Sequence, residues 1–370
     1  MRFRIEKDAL GEMQIPQEAY YGIGTLRSKE AFQITKHVLS RQMIKALAIT
    51  KKVNAKTNAE FNFITDKQGE AISLACDEIL NGRLHGQFIT DVLQDGYGYG
   101  MDTNAAEVIC NRACEMMGSK KGAYDLVTVE DVNKYQTINE SVVLAGKLAC
   151  VKLTKKLIAE NKKTLNAIKA SIAKNNLDPN SDIYLKLVSI VEILERDTKA
   201  IDKSLAQVCQ ISYGSIVPLA GIELEKYLSS FVANLNHEVT EKYSITKSYF
   251  KNSNNLDCFM TLSALVKNLM VNFSRLTSDL KEYSKRGIIK FPKVQDIEIA
   301  SEDILFDFVK QVSFYIAGND LTIFRTIESG VLNDNPFIPI VLATLYESIN
   351  LVRRTIRTIK EKVFEIMEFW

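Results

Sequence analysis

Cys110 and Cys114 stand four residues apart, a spacing that would set two thiols on one helical face and could begin a metal site. Closing such a site needs two more ligands. The chain has 3 histidines, none of them near this pair, and its other cysteines (Cys76, Cys150, Cys209 and Cys258) form no CxxC pair. The thiols therefore read as buried and reduced, and no metal or other cofactor is expected. A second group with chemical possibilities is the lysine run Lys152, Lys155, Lys156, Lys162, Lys163 and Lys169. A stripe of this kind could hold an anion, but no aromatic residues interleave with it, so it reads as the solvated face of a helix. The whole chain carries 47 basic and 45 acidic residues. That balance argues against recruitment of nucleic acid or of an acidic membrane surface.

The elements that must position any site are helices. A composition of 46% hydrophobic and 25% charged residues belongs to a globular chain, and 6 prolines with 17 glycines leave long uninterrupted periodic segments. The first thirty or so residues, with Gly11, Pro16, Gly22 and Gly24, read as irregular or short-strand structure. A helix starts near Arg41, with Ile44, Leu47, Ala48 and Val53 on one stripe, and another covers Lys67–Asn81 until Gly82 stops it. Three alternating glycines predict a loop over Gln94–Gly100, with helix resuming from Asn104 to Met117. Long segments of three- and four-residue periodicity then span 139–174, 180–210, 215–243, 255–286 and 302–318, the fifth able to run past Gly318, and a last one runs from about Ile338 to Trp370. The fold class is thus all-α, with a smaller N-terminal helical domain over 1–138 and a long-helix bundle over 139–370. Met1–Glu6 lacks an apolar signal region, and no stretch approaches the roughly twenty apolar residues of a membrane span, so the expected compartment is cytoplasmic.

Several blocks, in order, resemble the aspartase/fumarase superfamily, and within it the aspartate ammonia-lyase branch. They are Arg4–Glu12, Ala19–Arg27, Ala75–Ile79, Gly82–Phe88, Ala106–Ala113, Gln311–Thr322 and Glu347–Ile349. The resemblance implies a central helical bundle, a homotetramer or other homo-oligomer, and active sites built from three subunits. It also implies an anti elimination, in which a loop serine removes a proton beside a carboxylate while hydroxyls, amides and cations hold the dianion that forms. The family's C-terminal helical domain is expected to be absent, because the chain stops with the last bundle helix.

The family's site motifs are degenerate here. Its first block, GxGTSTNMNxNE, becomes Gly96 to Glu107: Tyr99, Gly100 and Met101 replace three hydroxyl residues, and Asp102 replaces an asparagine. The new carboxylate is expected to repel a substrate carboxylate. The second block, NxSQSTND, becomes Asn133 to Glu140, keeping Thr137 and Asn139 but placing Ile138 where a threonine would face substrate. Gln210-Ile211 falls where the third block has Thr-His, and no histidine lies between His85 and His237. The serine loop, GSSxMPxKxNP, corresponds to a shorter Asp296–Phe306 segment with one serine, Ser301, which reads as a helix cap. The stretch between Tyr227 and Asp257 is too short for the family's GTAIGTG motif.

The degenerate pocket therefore comprises Tyr99, Gly100, Met101, Asp102, Thr137, Ile138 and Asn139, with no catalytic residue among them. The plainer reading of the survivors is that Asn139 caps the first bundle helix and Thr137 merely precedes it. The expected function is that of an inactive, oligomeric scaffold or regulatory partner, able to join another protein or an intact lyase paralogue. The rival is a divergent carbon–nitrogen lyase or small-ligand binder whose pocket is lined by Tyr97, Tyr99, Tyr135 and Tyr213. The favoured reading of those tyrosines is that they fill a cavity left by the deleted loops.

Overall fold

The computed structural model describes residues 2–246, 256–290, 302–330 and 335–369, without the side chains of 219–220 and 302–305. An antiparallel hairpin opens the chain: β1 (Phe3–Asp8) pairs with β2 (Gly11–Pro16) across Ala9-Leu10. Helices α1 (Ile23–Ala31), α2 (Arg41–Glu60), α3 (Asp66–Leu80) and α4 (Tyr99–Met116) follow, then one turn, α5 (Val129–Val132). Next come α6 (Ile138–Lys174), α7 (Asp182–Val208), α8 (Leu224–Glu238), α9 (Asp257–Lys285), α10 (Glu302–Glu328) and α11 (Ile338–Ile359). Two-residue strands β3 (Gln210–Ile211) and β4 (Ser244–Ile245) pair in parallel, and β5 (Ile289–Lys290) pairs antiparallel with β6 (Glu368–Phe369). The all-α expectation holds, and no described helix is long and apolar enough to cross a membrane.

The chain folds into two units: residues 1–150, 208–256 and 326–343, and residues 151–207, 257–325 and 344–370. The first is organised around α2, whose buried stripe meets α3, α4 and α8. Its N-terminal segment closes on a buried carboxylate. Glu107 of α4 accepts from the amides of Gly22, Gly24 and Thr25 at 2.7, 2.8 and 3.1 Å and from the Thr25 hydroxyl at 2.5 Å. Burial raises the Glu107 pKa, and those four donors pull it back. The buried ion pair Arg4–Glu6, at 2.8 Å, clamps the adjoining turn, with Arg4 also donating to the carbonyls of Pro16, Ala19 and Tyr21.

In the second unit the parts of α6, α7, α9, α10 and α11 form a bundle stitched by polar pairs at successive interfaces. Asn161 meets Thr198 across α6 and α7, and Asp197 accepts from Asn268 and Asn272 of α9. Ser263 and Lys267 of α9 donate to Asp320 of α10, Asn319 donates to Ser348 of α11, and Glu160 of α6 takes Arg357 and Lys360. The lysine run of α6 lies on its outer side, where Lys155 and Lys169 pair with Asp202 and Glu195 of α7. All six cysteines are buried, and none forms a disulfide.

Some boundaries differ from the periodic reading, and one that it left open is set. The 215–243 segment is helical only over Leu224–Glu238, because Gly221 adopts a left-handed conformation (φ 73°) after a short 3₁₀ turn at Val217–Ala220. Helix α10 takes the longer of its two allowed ends and runs past Gly318 to Glu328. The last helix does not reach Trp370; it ends at Ile359, passes into a π turn over Lys360–Phe364, and the chain then forms β6.

Candidate functional site

Residues of the three sequence blocks that the first unit contains do converge. Helix α4 begins at Tyr99, five residues earlier than the glycine pattern predicts, because Asp95 supplies an acceptor for its first turn: the Gly100 amide lies 3.1 and 3.3 Å from the two carboxylate oxygens. The Gln94 side chain accepts from the Met101 amide at 2.6 Å. Gly100 is required where it stands. A Cβ there would strike the Ser28 hydroxyl and come within 2.7 Å of Gln94 Oε1, so the hydroxymethyl group of the family serine has no room. Tyr99 points to solvent and Met101 is buried, close to Gly98, which also approaches Val142 of α6.

Asp102 is buried, and its Oδ1 accepts from Lys51 Nζ at 2.6 Å and from the Ser141 hydroxyl at 2.6 Å. Lys51, wholly enclosed, makes its other contact to Asn133 Oδ1 at 2.7 Å. Burial drives the Lys51 pKa down, and the Asp102 carboxylate opposes that shift. The expectation that Asp102 would repel a carboxylate is therefore corrected: its charge is matched inside the protein. What the pair presents to a ligand is close to a neutral dipole.

The second block starts α6. Thr137, not Asn139, is the capping residue: its hydroxyl accepts from the Glu140 amide at 3.2 Å, and Glu140 Oε2 accepts from the Thr137 amide at 2.9 Å, a reciprocal capping box. Asn139 and Ile138 lie within the first turn, both partly exposed. The other oxygen of Glu140 accepts from the Ser215 amide at 2.8 Å, tying this helix start to the loop that carries the third block. Farther along α6, Lys147 donates to the Gln210 carbonyl at 2.6 Å.

Of the four tyrosines, Tyr213 is fully buried. It stacks on Phe231 at 3.9 Å between centroids, and its hydroxyl lies 3.0 Å from Asn54 Oδ1 and 3.1 Å from Gln136 Oε1. Burial raises its pKa far above the usual phenol value, so it stays protonated and donates. Tyr227 sits beside it, bonded to Asn58 at 2.9 Å. Tyr135 packs on Phe63, 4.1 Å between centroids, with positive φ, and Tyr97 (φ 66°) gives its amide to the Pro336 carbonyl. Tyr213 therefore fills the interior. The Asp296–Ser301 part of the shortened loop lies outside the described residues, as do the side chains of Ile304 and Leu305.

Sequence reasoning missed Lys51, Ser141, Glu140 and Tyr227. For Lys51 a signal existed: it falls four residues after Leu47 on the stripe of Ile44, Leu47 and Ala48, where a charge has to find a buried partner. Among the described residues no group of three or more His, Cys, Asp and Glu side chains could hold a metal ion.

A sequence profile of a lyase family matches residues 11–177. The chain is 31% identical to an aspartate ammonia-lyase of Bacillus subtilis, aligning 99% of its own length with 82% of that enzyme's. To an aspartate ammonia-lyase of Helicobacter pylori strain J99 it is 30% identical, over 98% of this chain and 82% of the other. Among solved structures, a fumarate lyase/delta crystallin from Brucella melitensis superposes with a TM-score of 0.91 at 27% identity, covering 100% of this chain and 89% of that one. A class II fumarase from Schistosoma mansoni gives 0.89 at 21% identity, covering 100% and 85%, a likeness of fold alone.

Proposed function

We propose, for a chain that belongs to the aspartase/fumarase superfamily of lyases, that it no longer performs the elimination and instead works as an oligomeric scaffold or regulatory partner. The observation that carries this reading is the internal pairing of the polar groups at the degenerate pocket. Where the family pattern has hydroxyls to grip a carboxylate, this chain has an exposed Tyr99, a Gly100 with no room for a side chain and a buried Met101. The buried cation at this place, Lys51, is already neutralised by Asp102, and Thr137 is used as a helix cap. An elimination through a dianion needs a base and preorganised positive charge at the same point. These side chains are committed to one another. The enclosure of Tyr213 also speaks against the tyrosine-lined pocket of the rival reading.

Oligomerisation is supported by α10. Phe314, Ala317, Gly318, Leu321 and Phe324 are exposed at helical spacing, with Phe314 at 72% and Leu321 at 60%. An apolar stripe of this kind is unusual on a monomer, and a second copy of the chain is its natural cover.

The test is direct. Purified protein incubated with aspartate, or with fumarate and ammonia, should show no conversion, while light scattering gives a multiple of the chain mass that Leu321→Glu reduces. Turnover on the order of 1 s⁻¹ overturns the inactive reading, and a monomer at micromolar concentration overturns the scaffold.

A further inference from the structure

The second unit carries positive charge that its own acids do not match. The later part of α11 bears Arg353, Arg354 and Arg357, and Lys360 follows in the π turn. One buried carboxylate serves this group: Glu160 meets Arg357 Nη2 at 3.3 Å with one oxygen and Lys360 Nζ at 3.2 Å with the other. Both oxygens are thereby taken. Glu361 lies 3.8 Å from Lys360 and adds a looser acid at that end.

Arg353 is left over. Its Nε is buried and has no hydrogen-bond partner. Burial first, then the charges of Arg357 and Arg354, pull its pKa below the ordinary arginine value, with Glu160 acting the other way. Like charges four residues apart on a helix repel, and a desolvated donor without an acceptor is costly. The helix dipole accounts for cations in the last turn, Arg357 and Lys360, but its influence has faded at Arg353, more than one turn earlier. The exposed Arg354, one residue on, leaves the group open to solvent.

An anion entering beside the exposed Arg354 would offset the repulsion among these charges. Guanidinium groups present planar forks of N–H donors, which match the oxygens of a tetrahedral oxyanion two at a time, and three of them within a turn suit a doubly charged one. We propose that Arg353, Arg354 and Arg357 form a binding site for a phosphoryl oxyanion, either free phosphate or the phosphate of a small phosphomonoester.

Calorimetric titration of the full chain at constant ionic strength tests this, with inorganic phosphate as one probe and adenosine monophosphate as the other. At least one probe should bind saturably. Arg353→Gln and, separately, the exposed Arg354→Gln should each weaken that binding about tenfold or more, the loss expected for one charge-assisted contact. Because Arg353→Gln removes an unmatched charge, its melting temperature without phosphate should equal or exceed that of the parent. Tighter binding of the nucleotide assigns a phosphomonoester, and tighter binding of inorganic phosphate assigns the free ion. Absence of saturable binding by both probes overturns the proposal. So does equal affinity in the parent and both variants, or a response that chloride reproduces.

Discussion

Replacing Asp102 by alanine tests the reading of the buried pair most severely. The substitution removes the acceptor of two hydrogen bonds, from Lys51 and from Ser141, each 2.6 Å long. It leaves Lys51, with 0% of its side chain exposed, holding only Asn133. The acceptor of both is a carboxylate, so both bonds are charge-assisted and each contributes about 1.5–3 kcal/mol. Their sum agrees with the roughly 3–5 kcal/mol lost when one partner of a buried pair is deleted. Asp102→Asn keeps an acceptor and should cost less. The loss must also depend on pH. Lys51 already has a lowered pKa, and Asp102 is what raises it. Without Asp102 the folded value falls further below the unfolded one, about 10.4, so the native variant sheds a proton that the unfolded chain keeps. Stability then rises with pH across that window, and the gap to the parent narrows by up to about 1.4 kcal/mol per pH unit. Urea denaturation followed by circular dichroism, at neutral pH and again near pH 9, reads both effects. A loss below about 1 kcal/mol, or a gap unchanged by pH, would refute the argument.

Two further substitutions address the elements around the site. Thr137→Ala should lower stability by about 1 kcal/mol through loss of the α6 cap, whereas Asn139→Ala should leave the cap intact; comparing the two melting curves distinguishes them. Gly22→Ala would drive a Cβ onto the Tyr124 hydroxyl and to 2.9 Å from Glu107 Cδ. A destabilisation of about 1–3 kcal/mol is expected from such overpacking, and an unchanged melting temperature would show that the Glu107 clamp is looser than its hydrogen bonds imply.

The long helices were legible because burial on one face leaves a periodic trace: α2, α3, α6, α7 and α9 lie within a few residues of their expected positions. Their ends were less so. Asp95 starts α4 through a carboxylate on a residue before the helix, and nothing in the glycine spacing announces it. From sequence Asn139 reads as the cap of α6, because an amide and a hydroxyl both suit that role; Glu140, placed to return the bond to Thr137, is the residue that decides. The degenerate blocks were readable one by one. What no block contains is the partner from elsewhere: Lys51 for Asp102 is fifty-one positions away, and Asn54 for Tyr213 is 159. A charge reads as repulsive until the residue that neutralises it is known.

The Glu107 clamp also sets an order of events during synthesis. The β1–β2 hairpin closes on itself across two residues and is complete once Pro16 has left the ribosome. The amides of Gly22, Gly24 and Thr25 have no comparable local solution, because the carboxylate they share lies 82 to 85 residues later. At roughly 5–20 residues per second of translation, that separation is a delay of roughly 4 to 17 seconds. During that time the segment stays hydrated and open to chaperones or proteases. Ribosome-bound chains truncated before and after Glu107 should therefore differ sharply in cleavage between Tyr20 and Arg27.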